Sequence, residues 1–178
     1  GRIHPSATGK RAMARYVGTT FTGDQFSQAR ISGRNGSSNE GVAVRIQSNT
    51  NASGYALMDM YGTLMLFRLV NFSNDLGLLS PALATFSGGT QVGDVIRLEV
   101  TGDTNPVLKA YKNGVLLGSV TDTGILNLSI LYPPLTGGQP GVVLFISTGG
   151  SITGPRLSNW MGGNVGIGSA ALTGSVTF

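Results

Sequence analysis

The residues able to do acid–base or ligand chemistry are few in this sequence, and their positions restrict what the chain can be. Glutamate occurs only at 40 and 99, aspartate at 24, 59, 75, 94, 103 and 122, and His4 is the single histidine; cysteine is absent. Lack of Cys removes a thiolate metal site, a cysteine nucleophile and a disulfide framework, and leaves the redox compartment open. No strand-like run carries two acids at i and i+2 or i+4, so general acid–base catalysis near pH 7 has few candidates, and the chain is expected not to be an enzyme. Calcium needs several converging oxygen ligands, commonly two or more carboxylates, and these are scattered. No cofactor is expected, and the ion site left open is a rim calcium through Asp75 or Asp122.

The elements that must position these residues are strands. Alternation of apolar and polar residues recurs throughout, and no window holds a helical period. Residues 12–18 (AMARYVG) open a first strand; Val42, Val44 and Ile46 alternate with Ala43, Arg45 and Gln47. "GYALMDMYG" and "TLMLFRLVN" give two more strands around a turn at Gly62, and residues 94–101 set Ile96, Leu98 and Val100 on a dry face against Arg97 and Glu99 on a wet one. In "VLKAYKNGVLLGSV", Asn113-Gly114 between two alternating runs is a strong signal for a hairpin, because a type I′ turn needs positive φ at both central residues. Lys109 and Tyr111 share a parity there and can belong to either face. "GVVLFIS" at 141–147 is apolar on both parities, as a strand covered on both sides should be. "ALTGSVTF" at the end reads as a closing strand, with Leu172, Val176 and Phe178 on one parity.

About ten short strands with no helix to cover a sheet imply two antiparallel sheets packed face to face, an all-β sandwich of jelly-roll type. Parity then nominates a surface. If Val44 and Ile46, Ala56, Met58 and Met60, and Phe67 and Leu69 face the core, three consecutive strands carry Arg45, Tyr55, Asp59 and Arg68 on an exposed face. Tyr can stack on a sugar ring while Arg and Asp bond its hydroxyls, which is the mixture a glycan groove requires. The other reading of the same four is a solvated or subunit-covered sheet with Arg–Asp cross-strand pairs.

Charged residues are 11% of the chain, against about 25% in typical globular domains. Such a hydroxyl- and amide-rich surface suits an extracellular, cell-surface or virion protein. No run approaches 18 uninterrupted apolar residues, so no membrane insertion is expected. Net charge is +4, and much of it sits early, in Arg2, Lys10, Arg11, Arg15, Arg30 and Arg34. Residues 1–11 are expected to be a basic arm and 12–178 a single sandwich domain. The missing initial Met and the arm suggest a processed or excised piece. Arg2, Lys10, Arg11 and Arg15 are candidates for contact with a polyanion or a neighbouring subunit, or are simply a solvated tail. Nucleic acid is not the expected partner, because the cluster lacks interleaved aromatics. "GIGSAA" at 166–171 opens no βαβ unit and reads as a loop, and the sequons at Asn35, Asn51, Asn71 and Asn127 are what chance produces in a chain this rich in Asn, Ser and Thr.

The order of "GVAVRIQS", "GYALMDMYGTLMLFRLVN", "GDVIRLEVTG", "LKAYKNGVLLGSVTDTG", "GGQPGVVLF" and "LSNWMGG" resembles the concanavalin A-like lectin/glucanase superfamily, in particular laminin G-like domains of bacterial and phage extracellular proteins. The resemblance spans roughly residues 12 to 163 and implies a curved two-sheet jelly roll. Its members bind glycans on the concave sheet, bind proteins or calcium at the loop rim, or degrade polysaccharides. The E-x-D-x-x-E strand of its hydrolases is absent, and the Tyr/His pair of its lyases has no counterpart beyond His4 in the arm. The resemblance also implies turn-making roles for Asp94 and Asp122, and a core position for Trp160, the only tryptophan, rather than a sugar-stacking one. Two functions follow as alternatives: a non-catalytic glycan-binding or adhesion module whose partner is a polysaccharide or surface glycan, or a self-assembling homo-oligomeric subunit of a virion or extracellular filament.

Overall fold

A computed structural model describes residues 2–3, 11–34, 38–47, 52–70, 82–127, 130–131, 133–146, 156–166 and 172–173. Everything described is strand, turn or loop. A six-stranded antiparallel sheet runs β2 (Arg11–Arg15), β13 (Gln139–Ile146), β4 (Ser38–Ile46), β5 (Gly54–Met60), β6 (Thr63–Leu69), β7 (Ala84–Phe86). A seven-stranded sheet runs β1 (Arg2–Ile3), β14 (Arg156–Asn164), β3 (Gln25–Gly33), β8 (Val95–Thr101), β9 (Val107–Lys112), β10 (Val115–Thr121), with β15 (Leu172–Thr173) also on β14. β11 (Ile125–Asn127) and β12 (Ile130–Leu131) form a separate pair. The two large sheets pack as a sandwich, as the alternation required.

The turns follow from residue chemistry. Asn113 and Gly114 have φ of 52° and 80°, and Lys112 pairs with Val115 across them, which is the primed two-residue turn the sequence announces. Tyr61 and Gly62, at 53° and 85°, make the equivalent turn between β5 and β6.

Between the sheets lie Val42, Val44, Tyr55, Leu57, Leu64 and Leu66 from one side and Ala29, Ile31, Ile96, Leu98, Val100, Leu108 and Ala110 from the other. Each fully buried Leu, Ile or Val contributes about 1.5–3 kcal/mol relative to an exposed one. Trp160 belongs to this core, donating from Nε1 to Ser27 Oγ at 3.0 Å and stacking on Tyr16. A second apolar cluster covers the opposite face of the six-stranded sheet: Ala43, Ile46, Ala56, Met58, Phe67, Leu69 and Val143, with Met13, Met60 and Met65 against it. β13 is therefore dry on both faces, Val142 and Leu144 pointing to one core and Val143 to the other. The expected closing strand is present at Leu172–Thr173; Val176, Phe178 and residues 167–171 lie outside the described residues.

Candidate functional site

The second cluster corrects the expected groove. Arg45, Tyr55, Asp59 and Arg68 are all fully buried, not exposed. The inward parity on β5 and β6 belongs to Tyr55, Leu57 and Asp59 and to Leu64, Leu66 and Arg68; Ala56, Met58, Phe67 and Leu69 face the other apolar layer. Arg45 reaches the interior for a different reason. Gln139 and Gly141 pair with Ile46 and Ala43, so β4 carries one extra residue, and Arg45 takes the bulge at φ 53°. Gly138 (φ +104°) permits this close approach, since a Cβ there would stand 2.7 Å from the Arg45 carbonyl carbon.

These side chains close the two ends of the sandwich. At one end Arg68 Nη1 donates to both Asp122 oxygens at 3.0 and 2.8 Å, Tyr55 OH donates to Asp122 Oδ2 at 2.7 Å, and the Leu135 amide donates to Tyr55 OH at 2.9 Å. Burial first, and the Asp122 bond second, hold the Tyr55 phenol well above the usual tyrosine range. Asp122 also accepts the Gly124 amide at 2.9 Å, which is the turn expected of it. It is thus a buried, ion-paired carboxylate and not a rim ligand. Beside it, Arg45 donates to the carbonyls of Gly23 (2.9 Å), Leu135 (2.6 Å) and Gly102 (2.7 Å), binding three loops together. Burial lowers its pKa from the ordinary guanidinium value.

At the other end β4 and β5 set Glu40 directly opposite Asp59. Arg34 bridges them, Nε to Glu40 Oε1 at 3.1 Å and Nη2 to Asp59 Oδ1 at 2.9 Å, and the Thr90 amide and hydroxyl also donate to Asp59. Sequence spacing missed this carboxylate pair because strand pairing, not chain proximity, creates it. Asp94 faces backward, accepting from the Gln91 amide and from Asn113 Nδ2, and these bonds, Asn113 first, lower its pKa. Among the described residues no three His, Cys, Asp or Glu side chains converge as a metal site; Asp75 lies outside them.

The polar sheet face lies instead on the outside of the seven-stranded sheet. On β3, β8 and β9 the inward residues are Ser27, Ala29 and Ile31, Ile96, Leu98 and Val100, and Leu108 and Ala110, so Phe26, Gln28, Arg30, Arg97, Glu99, Lys109 and Tyr111 point outward. Register aligns Gln28, Arg97 and Tyr111 in one row and Phe26, Glu99 and Lys109 in the next. Arg97 Nη2 and Nε reach Glu99 Oε1 at 2.7 and 2.8 Å, while its guanidinium carbon sits 3.8 Å from the centroid of the Phe26 ring. Tyr111 OH donates to Glu99 Oε2 at 3.1 Å, and burial followed by this bond raises its pKa. A guanidinium, a carboxylate and a phenol are thereby fixed relative to one another on a surface that is partly buried. The signal was in the sequence: Arg97/Glu99 and Lys109/Tyr111 are two i, i+2 polar pairs on strands joined by a short loop.

Of the basic candidates, Arg15 donates to the Gln47 carbonyl at 3.2 Å. Arg11 pairs with Phe145 in the strand register, and Arg2 sits opposite Ser158 on β14; Lys10, His4, Asn35, Asn51 and Asn71 lie outside the described residues.

The architecture defines a two-sheet antiparallel jelly-roll sandwich. Compared with protein-family models and with curated protein sequences, the chain matches none. Among solved structures it is similar to the carbohydrate binding module CBM66 from Bacillus subtilis, at 12% identity over 88% of this chain and 96% of that one, with a TM-score of 0.50. It also matches a heptameric SAP-like pentraxin from Limulus polyphemus (16% identity, 86% and 74% covered, TM-score 0.41) and SCP-B, an Eqolisin-family peptidase in complex with a tripeptide (15%, 96% and 88%, TM-score 0.42). Eqolisin-family peptidases stand among these matches, which corrects the expectation, drawn from missing His, Cys and same-strand acids, that the chain is not an enzyme.

Proposed function

We propose that this chain is a carbohydrate-binding sandwich that takes a glycan on the outer face of its seven-stranded sheet, in a secreted, cell-surface or virion protein. The observation that carries the reading is the Arg97–Glu99–Tyr111 network, with Arg97 lying over the buried Phe26 ring: the Tyr111 ring for a sugar face and fixed donors and acceptors for hydroxyls, on the sheet face that stays polar. Fold likeness to a carbohydrate binding module over most of both chains supports it. The superfamily suggested by the motif order, with glycans on a sheet face, is in keeping with this surface.

Tyr111→Ala is expected to weaken retention of a bound oligosaccharide at least about tenfold, the range for losing an aromatic platform with its hydrogen bond. A glycan array followed by calorimetry on the best hit measures it; unchanged affinity in the variant would place the ligand elsewhere. Self-assembly is the second reading, favoured by β10, an edge strand whose Val115 and Leu116 are 65% and 50% exposed. Light-scattering mass on the same samples separates the two: a discrete oligomer that retains no glycan supports assembly.

A further inference from the structure

The charges on the proposed face are unbalanced, and this names a ligand class. Arg97 is matched by Glu99, and the same carboxylate accepts from Tyr111, so Glu99 has little left to offer a second cation. Lys109 is the cross-strand neighbour of Glu99 yet makes no ion pair among the described residues. Arg30 is the exposed residue of β3, and its outward position places it on the same face. Arg30 pairs with Val95, four residues along β8 from the Glu99–Lys109 pair, and β3 and β9 are two strands apart. Strand geometry puts the two cations about 16 Å from each other, with the Gln28–Arg97–Tyr111 row between.

We propose that the ligand of this face is an anionic polysaccharide, with carboxylate or sulfate groups recurring along its chain so that Arg30 and Lys109 each meet one while the sugar between them lies on Tyr111. This rests on the glycan-binding reading and deepens it. A single charged sugar cannot span the two cations, and a neutral polymer leaves both uncompensated. Attraction between exposed charges is screened over about 8 Å at physiological salt, so binding falls as salt rises.

The test is calorimetric titration of the whole chain with polygalacturonate, dextran sulfate, neutral dextran, monomeric galacturonate and a dT oligonucleotide, repeated with Arg30→Ala, Lys109→Ala and the double variant. Both side chains are at the surface, so thermal unfolding of the variants should match the parent. The expected result is retention of one or both acidic polymers, no competition by the monomer, and a loss of about two- to fivefold per single variant, near tenfold for the double. Polygalacturonate against dextran sulfate tells carboxylate from sulfate. Neutral dextran bound as well as the acidic polymers, and unaffected by the variants, would overturn the anionic ligand while leaving the glycan site standing. Retention of no glycan at all would instead remove the site itself, and tighter capture of the oligonucleotide would replace the polysaccharide with nucleic acid.

Discussion

Asp122→Ala is expected to destabilise the fold by about 3–5 kcal/mol, the usual cost of stripping a buried charge of its partner. Asp122 is 1% exposed, and both of its oxygens are gripped by Arg68, itself fully buried. Removing the carboxylate also strands the Gly124 amide and the Tyr55 hydroxyl. Tyr55→Phe gives the scale for comparison: it deletes one neutral donor and should cost nearer 1 kcal/mol. The double variant Arg68→Met/Asp122→Ala should recover much of the loss, because no unpaired cation remains. Urea unfolding followed by circular dichroism measures all three. A single-variant loss below about 1 kcal/mol would mean that Arg68 finds water and that the cluster is not a closed interior pair.

The second large effect belongs to Arg45→Met, which keeps length but deletes the donors that three carbonyls use. We expect a loss of about 2–4 kcal/mol, from stranding the acceptors of Gly23, Leu135 and Gly102 near the end of the sandwich. The ion pair with Asp103 adds little, since that side chain is 73% exposed. Arg45→Lys preserves the charge but cannot direct a fork at three carbonyls, and should restore less than half of the stability. Equal stability of the Lys variant and the parent, in the same denaturant titration, would show that charge rather than geometry matters there.

Arg45, Asp59 and Arg68 show why parity misplaces the groove. Asp59 and Arg68 lie opposite in parity to the apolar residues taken as inward, and each meets its counter-ion only after strands distant in sequence pair. β5 and β6 are apolar on both parities, so alternation could not say which face meets the other sheet. A bulge at Arg45 then reversed the parity within β4, and no composition rule marks a positive φ at arginine. Where one face was dry and the other wet, the pattern held: Ile96, Leu98 and Val100 are buried, and Arg97 and Glu99 are not. Asn113-Gly114 and the doubly covered β13 were equally legible, since turn chemistry and unbroken apolar runs are local properties. The wet face of β8 and the Lys109/Tyr111 pair could have been joined into one surface by pairing the hairpin strands onto β8.

Strand order has a consequence for how the chain is made. β13 inserts between β2 and β4, and β14 between β1 and β3, so each sheet interleaves its earliest strands with strands from the last quarter of the chain. During synthesis, β3 and β4 therefore wait for residues 139–164. At 5–20 residues per second that interval lasts about 5–20 s, with apolar strand edges unpaired and open to aggregation. Nascent chains stalled before Gln139 should be digested by protease at β3 and β4, whereas chains released past Asn164 should resist. Protection of the shorter chains would show that the β5–β6 and β8–β9 hairpins organise the early strands alone. Otherwise this sandwich is a fold that closes only once residues 139–164 have been made, and its yield in a cell depends on what shelters the waiting edges.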